Sequence, residues 1–471
     1  MSRLATLFLL LPVLAQVVSI PDTHEGRLAT GFVQALNGSD EAAHRAYLAA
    51  SYAASALSEN PVDARLARQR QMAVRFGKLT PVRFAAAPSG FTLVVKAEKA
   101  NEFLELSFEL EKAAPRKIVG LRVEASEGPP EPADPNPPTN QAQLVERLDA
   151  LLAERTKADA FAGSVLLTKD GTPVFQKAYG LAERRFGAPN RVDTKFNLGS
   201  INKIFTKVAI AKLAEQGKLA LTDRLSKHLP DYPKAVADRV TIEQLLKHTS
   251  GMGDFFGPKF EETAKDRFRK LSDFLPTFVD QPLKFEPGTR NAYSNAGYIV
   301  LGLVIEKLSG KSYDDFVSEV VFKPAGMADT AAHEADAPVA NLAMGYTRGE
   351  DGRGPRRENV YTRPAKGSSA GGGYSTAPDL LKFAKALTSG KLLSLDYTRW
   401  ILGGEAPKPG AAAPTGPLRG GLGIAGGSPG VNGVVEIDTD PVYTLIVLAN
   451  DDPPAAESVA RKVREWMKAL R

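Results

Sequence analysis

Apolar residues recur along this chain in two periods, and the switches between them mark its elements. Gly31 to Leu57 is Ala-rich and helical in tone, and Arg65 to Phe76 continues with charged helix formers. At Pro81 the period drops to two. Pro81–Ala86, Phe91–Ala97, Phe103–Glu111 and Ile118–Val123 alternate apolar and polar residues between Pro and Gly breakers, which predicts a four-stranded meander. After a Pro-rich stretch the pattern resumes with a helix over Gln141–Arg155. Ser164–Thr168 and Val174–Tyr179 read as a hairpin with Asp170-Gly171 in its turn. A long, mainly helical region follows. Val434–Asp438 and Tyr443–Leu448 predict a second hairpin, and Glu457–Leu470 a closing helix. Strands at both ends with helices between them imply one antiparallel sheet built from both ends, an α+β arrangement.

These elements predict four regions. Residues 1–15 have a short positive start, an apolar run from Leu4 to Leu11 closed by Pro12, and small residues before Gln16. That is the grammar of a signal peptide, so we expect an exported protein, periplasmic or extracellular, with no membrane span once the signal is removed. Residues 24–125 form a small α+β domain whose helices-then-meander order resembles the NTF2-like family. Residues 126–139 (SEGPPEPADPNPPT) lack an apolar anchor and read as an extended linker. Residues 140–471 form the second domain.

Composition narrows the chemistry. A length of 471 residues calls for two domains, and 43% hydrophobic with 24% charged residues is ordinary globular usage. The net charge of +6 comes from cations interleaved with acids, so no basic stripe points to nucleic acid. The absence of cysteine removes disulfides, thiolate nucleophiles and Cys-based metal sites. Five scattered histidines lack metal-binding spacing, so neither metal nor cofactor is expected.

The candidate chemistry starts at Gly199-Ser200-Ile201-Asn202-Lys203. Ser200 to about Gln216 suits a helix and Gly217 its stop, which puts Ser200 in the first turn. Residues three apart share a helix face, so Lys203 stands beside Ser200. A serine hydroxyl needs a base to become a nucleophile, and a lysine serves if burial lowers its pKa. The free N–H groups of the first turn favour an oxyanion. Tyr293-Ser294-Asn295 adds a phenol that can share the proton and an amide that can hold both a substrate carbonyl and the lysine.

Together these segments resemble the serine β-lactamase and penicillin-binding-protein-like family, especially class C β-lactamases and related esterases. The S-x-x-K at 200–203, Leu246–Gly251 (LKHTSG), the Y-x-N at 293–295, Ala370–Thr376 (AGGGYST) and Gly426–Asn432 (GGSPGVN) fall in family order across residues 140–471. The resemblance implies a β-lactamase/transpeptidase-like fold, an antiparallel sheet flanked by helices plus a helical subdomain, with the active site between them. It implies an acyl-enzyme on Ser200, acid–base work shared by Lys203 and Tyr293, substrate binding by Asn295, and an oxyanion hole from the backbone N–H groups of Ser200 and Gly427. At the third motif, where the family carries Lys or His, this chain has Ile424. Anionic β-lactams are therefore less expected than neutral esters or amides, including D-amino-acid peptides. A catalytically impaired binding or scaffolding protein is the alternative reading.

Other residues take structural readings. His248 is expected to serve its loop, and His228 and His333 to lie at the surface or in loops. Gly367–Gly371 matches a nucleophile elbow, but no histidine follows His333 to serve Ser369. Thr376 reads as a helix cap with Asp379 in the first turn. Phe255 and Phe256 stand as cleft or core residues, and Gly403–Gly430, rich in Gly, Ala and Pro, as a loop over the cleft or a connection.

Overall fold

The computed structural model describes residues 19–99, 103–126, 134–349, 354–407, 416–440 and 442–470. The predicted signal segment and most of the predicted linker lie outside them. The chain forms two compact units, the first of Met1–Pro135 with Gly349–Pro355 and the second of Asn136–Arg348 with Arg356–Arg471.

In the first unit, helices α1 (His24–Asn37), α2 (Glu41–Ser51), α3 (Ala54–Glu59) and α4 (Val62–Phe76) precede strands β1 (Leu79–Ala87), β2 (Gly90–Ala97), β3 (Phe103–Leu110) and β4 (Ile118–Ser126). The strands pair in chain order as an antiparallel meander. Alternation drives it: Leu104, Leu106, Phe108 and Leu110 of β3 all turn inward. Phe108 stacks on Phe91 and takes the edge of Phe32 from α1. Thr23 and Asp40 cap α1 and α2 through their side-chain oxygens.

The second unit has a five-stranded antiparallel sheet, its spatial order being Gly421–Ser428, Val431–Thr439, Val442–Ala449, β5 (Gly163–Lys169) and β6 (Thr172–Tyr179). Both ends of the unit thus supply one sheet. Residues 421–428, within the stretch expected to be loop or connection, form its edge strand. Their Gly-rich composition hides the strand from alternation, which needs side chains, so only the third-motif resemblance, which lies on the strand edging the site, pointed to a strand at Ile424–Gly426.

Period-two alternation splits the sheet's apolar residues between two cores. Val165, Leu167, Leu445 and Val447 pack with α5 (Gln141–Lys157) and the helix Ala455–Ala469, including Trp466. Leu166, Ile446, Leu448, Val435 and Ile437 face the other way, onto Ile201, Phe205 and the helical region. That second core surrounds helix α6 (Lys203–Glu215), which is apolar nearly all round because neighbours cover it on every side. Phe205 meets the rings of Phe322 and Phe383 edge-on at 5.0 and 5.2 Å. Phe205 and Phe383 are fully buried, and each such side chain contributes about 1.5–3 kcal/mol. Among the described residues no helix is long and apolar enough to cross a membrane.

Candidate active site

The turn before α6 is tighter than the sequence predicts. Gly199–Asn202 forms a 3-10 turn and the α-helix begins only at Lys203. Gly199 sets the bend, with φ of +49°. Asn197 braces it, its Oδ1 accepting from Gly199 N (2.9 Å) and its Nδ2 donating to Gly372 O (3.2 Å). The i, i+3 relation survives: Lys203 Nζ lies 3.1 Å from Ser200 Oγ.

The edge strand Gly421–Ser428 lies against this turn. A Cβ on Gly426 would stand 2.1 Å from Leu198 O and 2.9 Å from Ser200 N, and one on Gly199 would stand 3.0 Å from Gly427 N. Only glycines permit such an approach. The two-residue turn Pro429-Gly430 makes Ser428↔Val431 a hydrogen-bonded pair, so Gly427↔Asn432 is the next, non-hydrogen-bonded one. Gly421 confirms the parity, since its N–H leaves the sheet for Leu402 O. The Gly427 N–H therefore points out of the open edge, on the side where Gly199 and Ser200 lie. Ile424 shares a strand face with Gly426 and packs, partly buried, against the core.

Lys203 is 4% exposed, and its amine meets three oxygens: Ser200 Oγ, Asn295 Oδ1 at 2.7 Å, and Ala370 O. Asn295 Nδ2 donates to Asp254 Oδ2 at 2.8 Å, which fixes the amide with its oxygen toward the lysine. Ala370 O and Asn295 Oδ1 can only accept. A neutral amine has two N–H groups and one lone pair, so these two oxygens take both N–H groups and leave the lone pair for the Ser200 hydroxyl proton. Burial lowers the Lys203 amine to about 7, against the opposing pull of the Asp254 charge.

Tyr293 completes the cluster, its hydroxyl 2.6 Å from Ser200 Oγ. Although Tyr293 is 51% exposed, partial desolvation raises its pKa, and the bond to Ser200 only partly offsets this. At neutral pH it is a phenol and a donor. Ser294, next in sequence, caps the helix Asn295–Ser309 by accepting from Gly297 N, while its hydroxyl donates to Gly253 O at 2.6 Å. The four side chains singled out in sequence, Ser200, Lys203, Tyr293 and Asn295, thus meet at one point, with the Gly427 strand beside them.

Three partners carried no sequence signal of their own role. Ala370 acts through its carbonyl, and its motif was legible only as a family segment. Asp254 sits on no motif. His248 does more than serve its loop: its Nδ1 accepts from Ser294 N at 3.2 Å, and its ring lies 4.5 Å from that of Tyr293 and 5.1 Å from that of Tyr298. Burial and the nearby Lys203 lower it to about 4, so it stays neutral, as an acceptor there must. It adopts φ of +57°, a conformation the fold imposes.

The remaining residues resolve simply. His228, expected at the surface, is 5% exposed and bonds Asp223 at 2.9 Å. Ser369 is fully buried; its hydroxyl has no hydrogen-bond partner among the described residues, while its carbonyl accepts from Thr206 Oγ1 at 2.7 Å. Thr376 caps the helix Ala377–Thr388 by accepting from Asp379 N. Phe255 is buried among Phe256, Phe260 and Phe274, whereas Phe256 is half exposed.

The family model described as Beta-lactamase matches residues 145–467. Penicillin-binding protein 4* of Bacillus subtilis (strain 168) is 34% identical over 212 residues, 44% of this chain and 46% of that protein. The putative penicillin-binding protein PbpX of the same organism is 30% identical over 256 residues, 54% of this chain and 61% of that protein. The matches thus span about half the length of these curated relatives. Among solved structures, a penicillin binding protein from Bacillus halodurans covers 70% of this chain and 100% of its own, with 31% identity and a TM-score of 0.58.

Proposed function

The chain belongs to the β-lactamase family, and from that premise we propose that its second unit is an exported serine hydrolase that cleaves an ester or amide, with no anionic group held at the edge strand, through an acyl-enzyme on Ser200. The observation that carries this reading is the hydrogen-bond inventory at Lys203, which accommodates a neutral amine and directs its lone pair at Ser200 Oγ.

In the proposed cycle Lys203 takes the Ser200 proton as Oγ attacks the substrate carbonyl. The carbonyl oxygen becomes an oxyanion held by the N–H groups of Ser200 and Gly427. Tyr293 donates its proton to the leaving group and is reprotonated from the Lys203 ammonium. Water then attacks the ester on Ser200, with Lys203 again as base, and releases the acid. A D-amino acid amidase from Ochrobactrum anthropi SV3 shares the fold at 23% identity and a TM-score of 0.57, which supports testing amides beside esters. The edge strand, GLGIAGGS, carries no charge with which to hold an anion, which disfavours substrates that need a cation there.

Fluorophosphonate labelling tests the proposal. The wild type should label and Ser200→Ala should not. If both stay unlabelled, the alternative of an impaired binding protein, which Ile424 favours, takes over. Amino-terminal sequencing of secreted protein tests export: a start at Gln16 supports it, and intact Met1 overturns it.

A further inference from the structure

A 660 Å3 cavity lies between residues 261–269 and 360–365 of the second unit. That is an ordinary size for a small-molecule site. Both wall segments continue along the chain to residues of the lysine site. The first continues from Asp254, which bonds Asn295, and the second runs on to Ala370, whose carbonyl accepts from Lys203. The walls are stitched together by Ala365 N to Lys265 O (3.0 Å) and Lys366 N to Phe268 O (3.2 Å).

The cations of this cavity are not equivalent. Lys265 Nζ is spent on the carbonyls of Phe260, Glu261 and Thr263. Arg269 is held by Glu334 and Asp336. Arg363 makes no hydrogen bond or ion pair with any described residue, and its Nε is buried without a partner. Its guanidinium stands 5.9 Å from the Tyr374 ring. His333, on the same ring at 6.1 Å, has a second unpartnered buried nitrogen, Nε2. Buried nitrogens are rarely left unsatisfied, and an unpaired guanidinium is matched in geometry to a carboxylate. The acids Glu261, Glu262 and Asp266 also border the cavity and would repel a polyanion, which leaves room for one carboxylate at the Arg363 end.

We propose that Arg363 is the anchor of a carboxylate-binding subsite for the acyl part of the substrate. It rests on the hydrolase reading above. Six residues lie between Arg363 and Ala370, so their Cα atoms are within about 25 Å of each other, and acyl length becomes the variable to scan.

The experiment compares p-nitrophenyl hemiesters of linear dicarboxylic acids of increasing length with the matching neutral fatty-acid esters. For one length the wild type should show a KM at least tenfold below that of its neutral partner. Arg363→Gln should erase that advantage while leaving the neutral esters within twofold, and Arg363→Lys should keep part of it. The subsite is overturned if no length gains, or if Arg363→Gln loses both series equally. Should wild type fail to label with fluorophosphonate, the hydrolase reading falls by itself. Binding of suberate, read by saturation-transfer NMR, then decides the subsite: saturation by wild type and not by Arg363→Gln supports it, and equal saturation or none refutes it.

Discussion

Replacing Asp254 by Asn should move the acid limb of the pH–rate profile downward. Lys203 must be neutral to accept the Ser200 proton, so kcat/KM should rise with pH through about 7 and level off above it. Lowering the amine from its ordinary value raises the neutral fraction at pH 7 by roughly a thousandfold. Asp254 works against this. Its Oδ2 is 2.8 Å from Asn295 Nδ2, and Asn295 Oδ1 is 2.7 Å from Lys203 Nζ. Adding the width of the amide puts the charge within about 8 Å of the amine. At effective dielectrics between those of protein and water that attraction is about 0.5–2 kcal/mol, or about 0.4–1.5 pH units. Asn is isosteric and keeps an oxygen facing Asn295 Nδ2, at the cost of the bond that Asp254 Oδ1 accepts from Phe256 N (3.1 Å), so the amide beside Lys203 should keep its orientation. The sign follows: loss of the anion disfavours the ammonium, and activity at pH 6, relative to the alkaline plateau, should rise about two- to eightfold. The assay is kcat/KM for a neutral p-nitrophenyl ester from pH 5 to 9, with circular dichroism as a folding control. An acid limb that stays in place or moves upward would refute Lys203 as the titrating base.

Further expectations test the neighbours. Tyr293→Phe should cost about a hundredfold on amides and alkyl esters but far less on p-nitrophenyl esters, whose leaving group needs no proton; an equal loss would deny Tyr293 the acid role. His248→Ala removes the acceptor of Ser294 N–H and the ring beside Tyr293. It should lower kcat about tenfold with little change in KM. His248→Asn, which tolerates a positive φ, should recover part of this, and recovery no better than Ala would remove the positioning role. Gly426→Ala would drive a Cβ to within 2.1 Å of Leu198 O. The strand must then retreat from Ser200, costing about 1–3 kcal/mol of stability by thermal melt and most of the activity; wild-type turnover would show that Gly427 N–H is not needed there.

Much of this protein was written locally. The alternation in residues 81–123 determined the meander, because a strand buried on one face repeats every two residues; the hairpins of the second sheet were legible from apolar runs in 164–179, about the Asp170-Gly171 turn, and in 434–448, because a strand buried on both faces reads as a continuous run. The helix face common to positions 200 and 203 put an amine beside a hydroxyl before any fold was known. The strand Gly421–Ser428 was illegible as alternation, since its glycines answer to contacts with residues 198–200, more than two hundred positions away in the chain. His228 looked like a surface residue until tertiary packing buried it with Asp223. Only the tertiary structure could bring Asp254, Asn295 and the Ala370 carbonyl to one lysine. Burial and the choice of partners are properties of the packed interior, and they decide whether that lysine is an ordinary cation or a base at neutral pH.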